Sequence, residues 1–123
     1  IGKAKSYFEN GRTKKITNYN DSGEKHGLSE EWREDGTRSD SIVYDNGTIA
    51  EIRSYYTDGK QRMWAKYKSE GVLWNGVYHG PKGKKCGQVK NGNGTYILYA
   101  EDGTYPSEYV IKNGIEVSSK DLE

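Results

Sequence analysis

The chain lacks most of what an ordinary globular core is built from. Its 123 residues include one Phe, one Met and four Leu, and hydrophobic residues make up 32%, against about 45–50% in typical soluble domains. A two-layer domain with so little aliphatic material could not fill its middle. A single Cys excludes an intramolecular disulfide and leaves the redox compartment open. No apolar run approaches the roughly 18–20 residues of a membrane-spanning helix. Neither sign of charge dominates, with 19 Lys and Arg against 18 Asp and Glu. This removes any general drive toward nucleic acid or an anionic membrane. Only two His are present, His26 and His79, and neither an HExxH nor a CxxC pattern occurs. No metal site and no cofactor are therefore expected.

What the chain does have is Tyr, Trp and Gly: eleven, three and sixteen residues respectively. Tyr and Trp favour strands, and Tyr suits a half-buried position with its ring packed and its hydroxyl wet. Ten glycines recur at near-regular intervals: Gly11, Gly23, Gly36, Gly47, Gly59, Gly71, Gly83, Gly94, Gly103 and Gly114. Seven of these ten follow Asn or Asp, the pairing that type I′ hairpin turns prefer because both central residues need positive φ. Between them lie short segments of strand composition, such as Ser41–Tyr44, Ile49–Tyr56, Arg62–Tyr67 and Thr95–Tyr99. A glycine every dozen residues and the lack of a 3.6-residue apolar period exclude a helical reading. The spacing predicts an all-β protein: an elongated single-layer antiparallel meander of about ten short strands, one per glycine step. Residues 1–123 form one domain, with repeats over roughly 6–116 and a polar tail over 117–123. The final Leu122-Glu123 reads as a cloning remnant. A start at Ile1 in place of Met predicts a missing N-terminal piece that could have held an export signal.

A second feature shares the register. Phe8, Tyr19, Trp32, Tyr44, Tyr56, Tyr67, Tyr78, Tyr99 and Tyr109 each stand shortly before a repeat glycine. Equal strands would bring these rings side by side as a ladder on one face. Alternation then sends Tyr7, Tyr55, Trp64 and Tyr96 to the opposite face, among charged residues such as Arg53, Arg62 and Lys66. Tyr, Trp and Arg are the types enriched where proteins bind one another, so Tyr7, Tyr55, Trp64, Tyr96, Arg53 and Arg62 are the candidate partner-binding residues. The competing expectation is a sheet that curls and buries part of this second face. The extra glycines Gly76, Gly80 and Gly87 predict a distorted or longer connection within 72–88.

Candidates for catalysis are weak. Cys86 stands near His79, and the adjacent Lys84 and Lys85 could lower its pKa, but proximity in sequence is not a catalytic geometry. Glu30-Glu31 and Glu34-Asp35 flank Trp32 and read as a solvated edge. The glycine-rich stretches precede no predicted helix and so lack the phosphate-holding device of a helix terminus. Asp-bearing turns such as Asn20–Glu24 lack calcium-loop spacing. No catalytic residue is assigned, and an enzyme is not expected.

Several segments are similar to variant MORN repeats. Tyr55-Tyr56-Thr57-Asp58-Gly59-Lys60 resembles the "YYxDGK" element of that family. Phe8-Glu9-Asn10-Gly11, Tyr44-Asp45-Asn46-Gly47 and Tyr99-Ala100-Glu101-Asp102-Gly103 resemble it in the same way. Gly23-Glu24-Lys25-His26-Gly27 resembles the "dGkkhG" link, and Lys90–Tyr96 the "nGnGtY" form. The resemblance implies an elongated twisted antiparallel sheet. It also implies a non-catalytic, protein-binding role, often that of a bacterial antitoxin or immunity protein set against a toxin or effector. The alternative is a cell-envelope glycan-binding module, with the aromatic rings as sugar platforms, or a scaffold module. Bacterial periplasm, cell envelope and cytoplasm all remain open as locations, with a monomer favoured.

Overall fold

A computed structural model describes residues 2–122. Among them there is no helix, and all strands form one open antiparallel sheet in meander order. The eleven strands are β1 (Gly2–Tyr7), β2 (Thr13–Tyr19), β3 (Gly27–Trp32), β4 (Arg38–Asp45), β5 (Thr48–Tyr55), β6 (Gln61–Ser69), β7 (Val72–His79), β8 (Lys85–Lys90), β9 (Asn93–Leu98), β10 (Ser107–Lys112) and β11 (Ile115–Asp121). Residues 117–121, expected as a tail, belong to β11.

The corners are of more than one kind, and Glu70-Gly71, between β6 and β7, is a two-residue turn with positive φ at the glycine alone. Asn46-Gly47, Asn91-Gly92 and Asn113-Gly114 each carry positive φ at both residues, as the type I′ turn requires. At the Asp-Gly corners only the glycine is left-handed. There, Tyr56 N–H donates to Lys60 O (2.8 Å), Gly59 N–H to Tyr56 O (2.9 Å) and Lys60 N–H to the Asp58 carboxylate (3.0 Å). This is a longer loop, in which the Asp side chain does the work that a second positive-φ residue does in the tight turn. The same backbone bonds recur at Phe8–Arg12, Arg33–Thr37, Gly80–Lys84 and Ala100–Thr104. These loops line one rim of the sheet. The tight turns line the other, together with the 20–26 loop.

One expected corner is misplaced. The β8–β9 turn is Asn91-Gly92, and Gly94 lies inside β9. A side chain at 94 would meet Gln88 O at 2.1 Å, so Gly94 is there for close strand approach.

The interval 72–88 is not a distorted connection but two strands, β7 and β8, and its glycines shape the floor of the sheet. Tyr78 pairs with Gly87, and Gly87 with Tyr96. With no side chain between them, the Tyr78 and Tyr96 rings stack directly, centroids 3.7 Å apart and planes 4° apart. Tyr109 continues the stack at 5.2 Å. A Cβ at Gly87 would lie 2.4 Å from the Tyr96 Cα. Around this stack Ala65, Leu73, Tyr78, Val89 and Ile111 form the buried core.

The sheet therefore curls, and it does so about the ladder face rather than the second face. At one rim Thr57 N–H donates to Glu101 O (3.1 Å) and Tyr56 Oη–H to His79 O (2.6 Å), so loops several strands apart meet. At the other rim Gly92 N–H donates to Trp74 O, Gly114 N–H to Gly92 O and Leu73 N–H to Gly114 O, a closed relay of three backbone bonds. From β1 to β4 the inner face carries few apolar residues, and the buried residues of these strands are Thr17, Ser29 and Ser39.

The aromatic ladder exists in part. Strand pairing and alternation place Tyr44, Tyr67, Tyr78 and Tyr109 on the inner face. Phe8, Tyr56 and Tyr99 instead sit just past strand ends.

Candidate functional site

The outer face around β5–β8 carries the most concentrated set of recognition side chains. Arg53 on β5 stands directly opposite Trp64 on β6, and Trp64 stands opposite Val77 on β7. Trp64 Nε1–H donates to the Glu51 carboxylate at 2.5 Å, and the Arg53 guanidinium pairs with the same oxygen at 3.2 Å. One carboxylate thus holds both the ring and the cation in place. Lys66 lies opposite Glu51 and is exposed.

Trp74 stands at an irregularity in the β6–β7 pairing: Lys66 opposes Asn75, Tyr67 opposes Leu73 and Ser69 opposes Val72, which leaves Lys68 and Trp74 without partners in the ladder. The Lys68 ammonium lies 4.2 Å from the centroid of the Trp74 ring, within cation–π range. Between β6 and β8, Trp64, Asn75, Val77, Gln88 and Lys90 border an open depression of about 280 Å³.

The six residues singled out from sequence do not gather in one place. Arg53, Tyr55 and Trp64 are neighbours on β5 and β6 and share the outer face. Tyr7 is also outward and 58% exposed, but it stands on β1 at the far edge of the sheet. Tyr96 faces inward, in the tyrosine stack. The expectation counted strand parity from Tyr99, which lies beyond the end of β9. Arg62 is also turned inward. Ser54 opposes Met63 and Tyr55 opposes Gln61, which leaves Arg62 as a bulge residue. Its Nε–H donates to Tyr99 O at 2.7 Å and its Nη1–H to Ser54 Oγ at 3.1 Å. Sequence reasoning missed Val77 and Glu51, both of which follow from alternation once strand pairing is known.

Elsewhere the chemistry is quiet. The Cys86 thiol donates to Ile97 O at 3.1 Å, and burial pushes its pKa up, against the expectation that the neighbouring lysines would lower it. Glu30 is paired with Arg38 at 2.9 Å. Asp35 accepts from Thr37 N–H and Oγ1–H at 2.9 and 2.6 Å, and these bonds hold its carboxyl below the usual range. Glu31 and Asp40 stand opposite one another on the inner face. Among the described residues no group of three or more His, Cys, Asp or Glu side chains could hold a metal ion, and no helix is long and apolar enough to cross a membrane. Compared with known protein families and with curated proteins, the chain matches none of either.

Proposed function

We propose that the chain is a non-catalytic protein-binding repeat domain, with the role of an antitoxin or immunity protein that neutralises a toxin or effector by direct contact. The observation that carries this reading is the Trp64–Arg53 pair, held by one Glu51 carboxylate on an open sheet face. Pre-positioned Trp and Arg side chains lose little conformational freedom on binding, and they are the types that dominate interface energies. Val77 extends the same surface. The class of partner comes from the resemblance to variant MORN repeats, not from the patch itself.

Affinity capture from the cells that encode the chain tests this. The wild-type chain is expected to retain one protein in a near-stoichiometric complex. The Trp64→Ala/Arg53→Ala variant is expected to lose it while keeping its circular dichroism spectrum. Equal retention by both, or no retained protein, rejects the reading. A cell-envelope glycan-binding role is the second reading, supported by the Trp64 ring held on an open sheet face. Glycan-array binding that disappears in Trp64→Ala would favour it.

A further inference from the structure

We infer that the cleft under the β7–β8 loop is a binding site for a small amphipathic anion, a carboxylate or sulfonate carried on an aromatic ring. The cleft has a volume of about 390 Å³, within the roughly 300–1,000 Å³ of small-molecule sites. Its floor is Pro81, Cys86 and Tyr99, and its mouth is Lys82, Lys84 and Lys85. No carboxylate lines it. The three ammonium groups stand within four positions of a chain whose formal net charge is only +1, and among the described residues none of them makes an ion pair. A half-buried apolar floor beneath unneutralised cations is the complement of a ring bearing an anionic group.

The cleft is built rather than incidental. Gly80 N–H donates to Lys84 O and Gly83 N–H to Gly80 O, closing the loop. Arg62 Nε–H fixes Tyr99 through its carbonyl, and Tyr56 Oη–H fixes His79. Gly80 borders the floor, where a Cβ would rest in ordinary contact with the Tyr99 ring at 3.6 Å. The site lies at the loop rim, and although β8 contributes to both, it shares no lining residue with the depression beside Trp64, so it stands or falls independently of the protein-binding reading.

The probe is 8-anilinonaphthalene-1-sulfonate, an aromatic sulfonate whose fluorescence rises on burial. The full chain is expected to bind it saturably at one site. The Lys82→Gln/Lys84→Gln/Lys85→Gln variant, altered only at exposed positions, is expected to keep its melting temperature and to bind at least tenfold more weakly. Saturating probe is expected to slow alkylation of Cys86 by neutral iodoacetamide at least fivefold. Unchanged affinity in the triple variant, unprotected Cys86, or equal binding of the uncharged analogue 1-anilinonaphthalene would each overturn the proposal.

Discussion

At the scale of single residues, two features dominate: the tyrosine stack and the glycines that make room for it. Tyr78 is 1% exposed, and Tyr78→Ala is expected to cost about 3–5 kcal/mol, as loss of a buried aromatic does, measured by urea unfolding. Two positive-φ glycines, Gly59 at 91° and Gly87 at 147°, differ in what surrounds them. Gly59 has open space where a Cβ would go, so Gly59→Ala should cost only about 1–2 kcal/mol of left-handed backbone strain. Gly87→Ala adds a clash with β9 backbone and is expected to cost at least about 3 kcal/mol. Equal losses for the two substitutions would contradict the role given to Gly87. The phenols also set an alkaline limit. Burial raises Tyr56 and Tyr96 to about 12, while in the unfolded chain they ionise near 10. Between those values the unfolded chain has lost protons that the folded chain keeps, so stability falls as pH rises through that window. Absorbance at 295 nm should show these phenols ionising together with unfolding.

At the scale of elements, the Asp-Gly loops and the inner row of β3–β4 make separate claims. Hydrogen bonds from Thr37, Lys60 and Thr104 lower the carboxyl pKa values of Asp35, Asp58 and Asp102. A depressed folded pKa stabilises above the unfolded value, and that contribution is lost as pH falls through the folded one. Asn keeps the accepting oxygen, as Asn10 does toward Arg12 N–H at 2.9 Å. The triple Asp→Asn variant at 35, 58 and 102 is therefore expected to fold normally and to show a flatter stability curve below pH 5 in denaturant titrations. On the inner face, Glu31 and Asp40 are like charges directly opposed across two strands. Asp40→Asn is expected to stabilise by up to about 0.5 kcal/mol at low ionic strength, and added salt should remove the gain.

At the scale of the molecule, the curl is held by contacts between loops that the meander leaves far apart. Arg33, in the β3–β4 loop, donates to Tyr55 O at 2.6 Å and pairs with Glu101, in the β9–β10 loop, at 3.2 Å. Arg33→Ala is expected to cost about 2–3 kcal/mol, since it removes charged hydrogen bonds from a largely covered site. In the N-terminal half the loop contacts span two strands, Asn10 Nδ2–H donating to Glu34 O at 3.1 Å and Gly47 N–H to Lys25 O at 2.8 Å. All six residues of β1 and all seven of β11 are exposed, whereas β6–β10 surround the core. Hydrogen exchange is expected to be fast in β1 and β11 and slowest in β6–β9.

The amino-acid sequence by itself determined that the chain would be all-β, antiparallel and sequentially paired, because turn chemistry is local: an Asn-Gly or Asp-Gly corner needs only its own four or five residues to form. Nine of the ten expected glycine corners stand at or inside observed turns for this reason. Only the tertiary structure decided which face curls inward, and hence where Tyr96 and Arg62 point. Those positions depend on a bulge at Arg62 and on a corner at Gly92 in place of Gly94. Each of these depends on how one backbone meets its neighbours rather than on local composition. A shift of one residue sends every following side chain to the other face, so an accurate reading of the corners still leaves the functional surface undetermined until the strands are paired.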